Sequence, residues 1–197
     1  MQTHLEFFNQ LAPRWDSMRS PERLRQIERL LDRFKLTWQS APSILDVGSG
    51  TGLLLPLLQA YAPAARIVGL DLAQDMLSRA RGRAGSAALL QASGQYLPLV
   101  EASFKVVIYH AVLPHLLNPP AALAEAQRVL QPGGTLLIFH EISRAEVNAI
   151  HRQVGGAIAA DHVPLPTELR GWLVQAGFTA IHLEDAPSHF LAAAQKE

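Results

Sequence analysis

The sequence predicts a doubly wound α/β protein: one mostly parallel, seven-stranded sheet with helices on both faces, closed by an antiparallel C-terminal hairpin. Three observations predict it. Short apolar, β-branched runs alternate with helix-length segments from Ser43 to Phe139, and connections of that length favour parallel pairing. The first run feeds directly into a glycine-rich turn, ILDVGSGTG over Ile44–Gly52. The chain then finishes on two closely spaced runs, Phe178–Glu184 and Ser188–Ala194, which suit a hairpin and leave no room for a crossover.

Residues 1–40 read as a helical lid on a core of residues 41–197, together one structural domain. Ser20 and Pro21 form an N-cap and first-turn pair, followed by Leu24, Ile27, Leu31 and Phe34 at helical spacing. Strand Ser43–Val47 leads through the glycines into a helix over Thr51–Tyr61, in spite of Pro56. Strand Arg66–Leu70 ends at Asp71, and Gln74–Arg81 is a helix with Met76, Leu77 and Ala80 on one side. Ala87–Gln91 and Lys105–Tyr109 are the third and fourth strands. Asn118 caps a helix with Pro119 at its first position and Gly133–Gly134 past its end, and Thr135–Phe139 is the fifth strand. Ser143 with Glu146 forms a capping box for a helix over Arg144–Val154, and Thr167–Gln175 is the last helix.

Composition narrows the chemistry. The 197 residues are 49% hydrophobic and 17% charged, which supports a packed core and opposes extended disorder. The absence of cysteine removes disulfides, thiolate metal sites, iron–sulfur clusters and cysteine nucleophiles together. Seventeen basic residues balance seventeen acidic ones, so no nucleic-acid partner is expected. The N-terminal stretch lacks the pattern of a secretory signal and no apolar run is long enough to span a membrane, so a cytoplasmic location is expected. Eight histidines remain as the near-neutral bases and nitrogen ligands.

In a doubly wound sheet the ligand lies beyond the carboxyl ends of the strands, near the topological switch point. Gly48, Gly50 and Gly52 let the backbone turn sharply and let a flat ligand approach. A dinucleotide fingerprint would need glycine where this chain has Leu53. Asp46, two positions before the first glycine, suits a cationic ligand better than a pyrophosphate, and both features oppose a nicotinamide dehydrogenase. Asp71 can accept hydrogen bonds from both hydroxyls of a ribose.

ILDVGSGTG, the strand ending in Asp71, and LAEAQRVLQPGGTLLI together resemble a class I S-adenosylmethionine-dependent methyltransferase of Rossmann-like fold. The nearest subgroup is similar to the ubiquinone/menaquinone-biosynthesis enzymes and their small-molecule relatives, over about residues 5–197. The resemblance implies S-adenosyl-L-methionine as cofactor and a small-molecule methyl acceptor. It places Asp46, Gly48, Ser49 and Gly50 at the methionine end, Asp71 at the ribose and Leu72 near the adenine, with Met76 also expected to bind the cofactor. The APRWD segment resembles the part that folds over the cofactor, with Trp15 at a usual aromatic position. Where the family often has Gly-Asp-Ala at the adenine amino group, this chain has Ala92-Ser93-Gly94, so Ser93 accepts a hydrogen bond without the charge. The family's Phe-Asp-Val-Val stands here as Phe104-Lys105-Val106-Val107.

Two other patterns fail. Asn118-Pro119-Pro120 echoes the motif of amino-group methyltransferases, but it lies eight residues past His110 and is followed by Ala121, which suits a helix start. His140-Glu141 opens like a zinc-protease motif, but Arg144 occupies the second histidine's place. The histidines themselves converge in part. His110 and His140 end the fourth and fifth strands, and are expected near the reacting centre, with His110 also against the cofactor. His115 follows in the loop above, His151 points inward from its helix, and His162 lies in the loop DHVPLP. His4, His182 and His189 have no such placement and are read as incidental. The converging group offers either a general base or a divalent-metal site made by His140, His151 and His162, with or without Glu141. A non-catalytic binding partner that keeps the fold is the rival reading, and the intact glycine loop and Asp71 oppose it.

Overall fold

The computed structural model describes residues 2–197. Seven strands form one sheet: β1 (Ser43–Val47), β2 (Arg66–Asp71), β3 (Ala88–Gln91), β4 (Phe104–His110), β5 (Leu130–His140), β6 (Phe178–Ala186) and β7 (His189–Lys196). Their order is β3-β2-β1-β4-β5-β7-β6. The first five pair in parallel, while β7 runs antiparallel to both β5 and β6. The chain winds outward from β1 to β3, then returns to place β4 on the other side of β1. That reversal opens a crevice beyond the carboxyl ends of β1 and β4.

The central strands are largely apolar because both faces are covered. Leu45, Val47, Val107 and Tyr109 enter one buried cluster, while Ile44, Val106, Ile108 and Phe139 enter the other. Successive side chains alternate between faces, so a single run such as Val106–Tyr109 supplies both cores. Among the described residues eight α-helices flank the sheet: α1 (His4–Leu11), α2 (Pro21–Asp32), α3 (Lys35–Ser40), α4 (Leu55–Tyr61), α5 (Gln74–Ala80), α6 (Pro119–Val129), α7 (Arg144–Val154) and α8 (Pro166–Gln175). Among the described residues no helix is long and apolar enough to cross a membrane.

The N-terminal forty residues divide in two. Ile27, Leu30 and Leu31 of α2 and Trp38 of α3 lie in the same core cluster as Ile44 and Val106, and Trp38 Nε1 donates to the Leu31 carbonyl at 2.7 Å. Helix α1 buries no residue fully; its Phe8 instead joins Trp15, Ala12, Ala73 and Met76 in a small separate cluster over α5. Most of the N-terminal residues that line the two cavities fall in α1 and the two 3-10 turns through Met18, followed by Arg19 and Arg23.

Two element boundaries and one helix cap differ from the sequence expectation. Helix α4 starts at Leu55, so Pro56 sits in its first turn, where a missing N–H costs nothing. Strand β5 begins at Leu130 and carries Gly133 and Gly134 within it, beside a register irregularity against β4 between Phe104 and Val106. At Ser143 the side chain accepts from Glu146 N at 3.2 Å, but the Glu146 carboxylate goes to Arg23 Nη2 at 2.9 Å. The reciprocal capping box forms instead at Thr3 and Glu6, at the start of α1.

Candidate active site

The glycine turn begins where β1 runs out. Gly48 N and Ser49 N donate to the Leu70 carbonyl at 2.7 and 2.9 Å, folding the turn onto the end of β2. Gly48, Gly50 and Gly52 all have positive φ, at 72°, 55° and 77°. They serve different ends. A Cβ at Gly48 would overlap Val112, and one at Gly52 would press on Ala80 of α5 at 3.0 Å. Only Gly50 faces open space, with Trp15 Nε1 3.7 Å from its would-be Cβ. Gly50 alone leaves room for a ligand to approach the backbone; at the other two the missing side chain admits neighbouring protein.

Asp71, at the end of β2, uses one lone pair on each oxygen to hold backbone. Gly50 N donates to Oδ2 and Ala73 N to Oδ1, both at 2.8 Å. Burial pushes this carboxyl up, and those backbone N–H groups pull the other way. Each oxygen keeps a lone pair for a ligand. Asp46 is in the opposite state. It is 1% exposed, and neither carboxylate oxygen has a hydrogen-bond partner; Ser49 Oγ beside it also has none. Burial, then the charge of Asp71, pushes Asp46 up to about 7. A buried carboxylate without a partner is costly, and a cation placed beside it would remove the penalty.

These groups border a cavity of about 390 Å³. Trp15, Asp46, Gly48, Ser49, Gly50, Asp71, Leu72, Met76, Ser93, Gly94 and His110 all line it. Ser93 Oγ accepts from Gln95 N at 3.3 Å, fixing the turn opposite Leu72. The covering segment is tied to the glycine turn through Asp16, which accepts from Thr51 Oγ1 at 2.6 Å and pairs with Arg83 at 2.8 Å. Ala111, the residue after β4, has φ 54°, a left-handed conformation that alanine adopts only under constraint.

A second cavity of about 130 Å³ adjoins the first. Phe7, Leu11, Val147 and Ile150 supply apolar wall, and Arg19, His115, His140, Glu141 and His151 supply polar groups. Two carboxylates organise those polar groups. Glu141, 6% exposed, accepts from His110 Nε2 at 3.0 Å and from Arg19 Nε at 3.3 Å. Burial alone would raise its carboxyl, but the His110 hydrogen bond and the neighbouring positive charges hold it well below the usual range. His110 also stacks on Phe139, ring centroids 4.7 Å apart. Asp161, in the loop after α7, lies 2.6 Å from His115 Nδ1 and 2.9 Å from His4 Nε2. Burial would raise it too, and those two imidazoles bring it below its ordinary value.

His140, expected near the reacting centre, is not among the residues that line the first cavity. It lines only the second cavity, because β5 lies one strand beyond the switch point, and strands are about 4.8 Å apart. Burial lowers its pKa to about 3, so the ring stays neutral and is a poor base. The ligand set His140, His151 and His162 is likewise not assembled. His162 is exposed, and His151 Nδ1 hydrogen-bonds the Asp161 carbonyl at 3.0 Å. Among the described residues the converging set is His4, His115 and Asp161, whose ligating atoms lie within 4.8 Å of one another. Sequence reasoning treated His4 as incidental and passed over Asp161 beside His162. The signal was faint: His4 stands 157 positions from its carboxylate. His182 and His189 both pair with Glu184, away from either cavity.

Comparison with known proteins agrees with this architecture. A family described as a methyltransferase domain matches residues 45–138, the span from β1 to β5 that carries the glycine turn and Asp71. A demethylmenaquinone methyltransferase of Thermus thermophilus is 29% identical, over 91% of this chain and 100% of its own length. A malonyl-[acyl-carrier protein] O-methyltransferase of Laribacter hongkongensis is 33% identical over 77% of this chain, which spans only 55% of that protein. The crystal structure of a SAM-dependent methyltransferase from Aquifex aeolicus superposes with a TM-score of 0.73, at 21% identity, over 94% of this chain and 98% of that one.

Proposed function

We propose that the chain is a class I S-adenosylmethionine-dependent methyltransferase, similar to the ubiquinone/menaquinone-biosynthesis group, and that it methylates a small molecule held in the second cavity. The cofactor supplies a methyl group already activated on a sulfonium. The observation that carries the reading is Asp46, whose two buried, unpartnered oxygens at the glycine turn fit a cationic amino-acid end. Gly48, Ser49 and Gly50 shape that end of the site, and the free lone pairs of Asp71 suit the two ribose hydroxyls. Leu72 and Met76 would flank the adenine, with Ser93 and Gly94 at its edge, and Trp15 would cover the cofactor as part of the α1 lid.

The acceptor follows from the neighbouring wall. The second cavity is small and largely apolar, with neutral imidazole and guanidinium at one side, and suits a compact molecule with one polar group to be methylated. His110 stands where the cofactor cavity meets Glu141, and its buried hydrogen bond fixes the imidazole there as a positioning group. Methyl transfer from a sulfonium is an in-line displacement, so orientation and exclusion of water do much of the work and no metal ion is required.

Calorimetric titration of S-adenosylmethionine and S-adenosylhomocysteine into the intact protein tests the reading. Micromolar binding of both is expected, with release of S-adenosylhomocysteine when a suitable acceptor is added. Absence of binding overturns it. Tight binding with no transfer to a broad panel of phenols, thiols, amines and activated carbon acids would favour the non-catalytic partner.

A further inference from the structure

We propose that His115 is the general base of the transfer, its proton held on Nδ1 by Asp161, with His4 of the lid helix bound to the same carboxylate. This rests on the methyltransferase reading above. The argument begins with position. Phe8, Trp15, Arg19, Ala111 and His115 border both cavities. Any group that removes a proton from the acceptor as the methyl arrives must stand at that junction. Phe8, Trp15 and Ala111 have no basic atom, and Arg19 stays protonated and bound to Glu141. His115 remains. His110 borders only the cofactor cavity and His140 only the other.

Orientation supplies the second part. His115 Nδ1 lies 2.6 Å from Asp161 Oδ2, and both side chains are about one-tenth exposed. A carboxylate accepts only, so Nδ1 carries a proton, and in the neutral ring that leaves the lone pair on Nε2. Phe8 packs edge-on against the ring at 4.9 Å between centroids, restricting its rotation. Asp161 is itself fixed from several sides. His4 Nε2 reaches both of its oxygens, at 3.0 and 2.9 Å, and its carbonyl meets His151 Nδ1. Two residues on, Val163 N donates to Asn148 Oδ1 at 2.7 Å, anchoring the loop to α7. The charged or titratable neighbours of His115 are thus Asp161 from the loop, His4 from α1 and His151 from α7, whose ring is 4.8 Å away. Arg19, His140 and Glu141 share the second cavity with it.

The step balances without a further reactant. The acceptor X–H gives its proton to His115 Nε2 as the X–C bond forms and the S–C bond breaks, with that electron pair remaining on sulfur. The imidazolium is stabilised by Asp161 and passes its proton to water after product leaves. Because His4 belongs to α1, the carboxylate is fully held only with the lid helix in place.

Nitrogen-15 NMR of the histidine rings, recorded on the full chain with S-adenosylhomocysteine, tests the assignment without turnover. His115 is expected to carry its proton on Nδ1, and Asp161→Asn is expected to abolish that preference. A His115 proton on Nε2 overturns the proposal, whereas failure of the wild type to bind S-adenosylhomocysteine overturns the methyltransferase reading instead. The kinetic arm compares His115→Gln with wild type on 4-methylphenol, which must lose a proton, and 4-nitrothiophenol, already a thiolate at neutral pH. Transfer to the phenol is expected to fall about 100-fold or more, while transfer to the thiolate and S-adenosylhomocysteine affinity change less than about threefold. Equal losses on both acceptors would make His115 a positioning group and sink the proposal.

Discussion

On the β1–β2 side of the ligand space a buried carboxylate, Asp46, has no hydrogen-bond partner, whereas beyond β4 and β5 the carboxylates of Glu141 and Asp161 are each held by two basic side chains. The first wall is electrostatically incomplete and the second is complete without a ligand. An incomplete wall gains most from a bound charge, because the desolvation penalty is already present in the fold. A completed wall stabilises the fold and fixes ring orientations, which suits groups that must receive a proton in one geometry. Cofactor affinity should therefore be concentrated on one side, and acceptor orientation on the other.

Substitutions on the two walls should separate these effects. Asp71→Ala is expected to have the largest, weakening S-adenosylhomocysteine by about 1000-fold in calorimetry, roughly two charge-assisted hydrogen bonds together with the support lost at Gly50. Asp46→Asn should weaken S-adenosylmethionine about 100-fold, or ~3 kcal/mol, and yet stabilise the ligand-free protein. The sign follows from the raised pKa of about 7. The unfolded chain ionises this group near pH 4 while the folded chain holds the proton, so ligand-free stability falls as pH rises from about 4 to about 7. Chemical denaturation across that range should show the fall in wild type and lose it in Asp46→Asn; an unchanged profile would mean that Asp46 has a partner.

On the completed wall, Glu141→Gln should cost about 2–3 kcal/mol of stability by leaving His110 and Arg19 without their buried charge. Its lowered carboxyl gives a contribution present above the ordinary glutamate range and lost as pH falls into acid, so the variant should lose part of the acid sensitivity of the wild type. Affinity for S-adenosylhomocysteine should change by less than about tenfold, since Glu141 does not line the cofactor cavity. His140→Phe should do least: a neutral buried ring is replaced by an apolar one, with a change in midpoint below about 1 kcal/mol and no change in cofactor affinity. A large loss of cofactor binding there would break the division between the two walls.

Much of the scaffold was legible in the amino-acid order because its signals are local. The alternation of buried runs and helices reports two-sided burial of each strand, and Asn118 and Ser143 cap the helices that they precede, at 3.1 and 3.2 Å. The glycine turn was legible as a turn, yet two of its glycines make room for Val112 and Ala80, which come from distant segments. The N-terminal helices all read alike, but Trp38 and Ile27 belong to the core while α1 covers the cavity. Amphipathic spacing reports that a face is buried and does not say against what.

The histidines mark the boundary most clearly. Sequence by itself determined that imidazole is the available base, through eight histidines and no cysteine, and that a carboxylate stands next to the end of the first strand and another at the end of the second. Tertiary structure decided which rings matter. It moved His140 one strand away, left His162 in solvent, and brought His4 and His115 onto Asp161 across 157 and 46 positions of chain. The physical reason is range: caps, turns and strand periodicity act between neighbours in sequence, whereas a hydrogen-bonded pair is chosen by the packing that closes the chain around it.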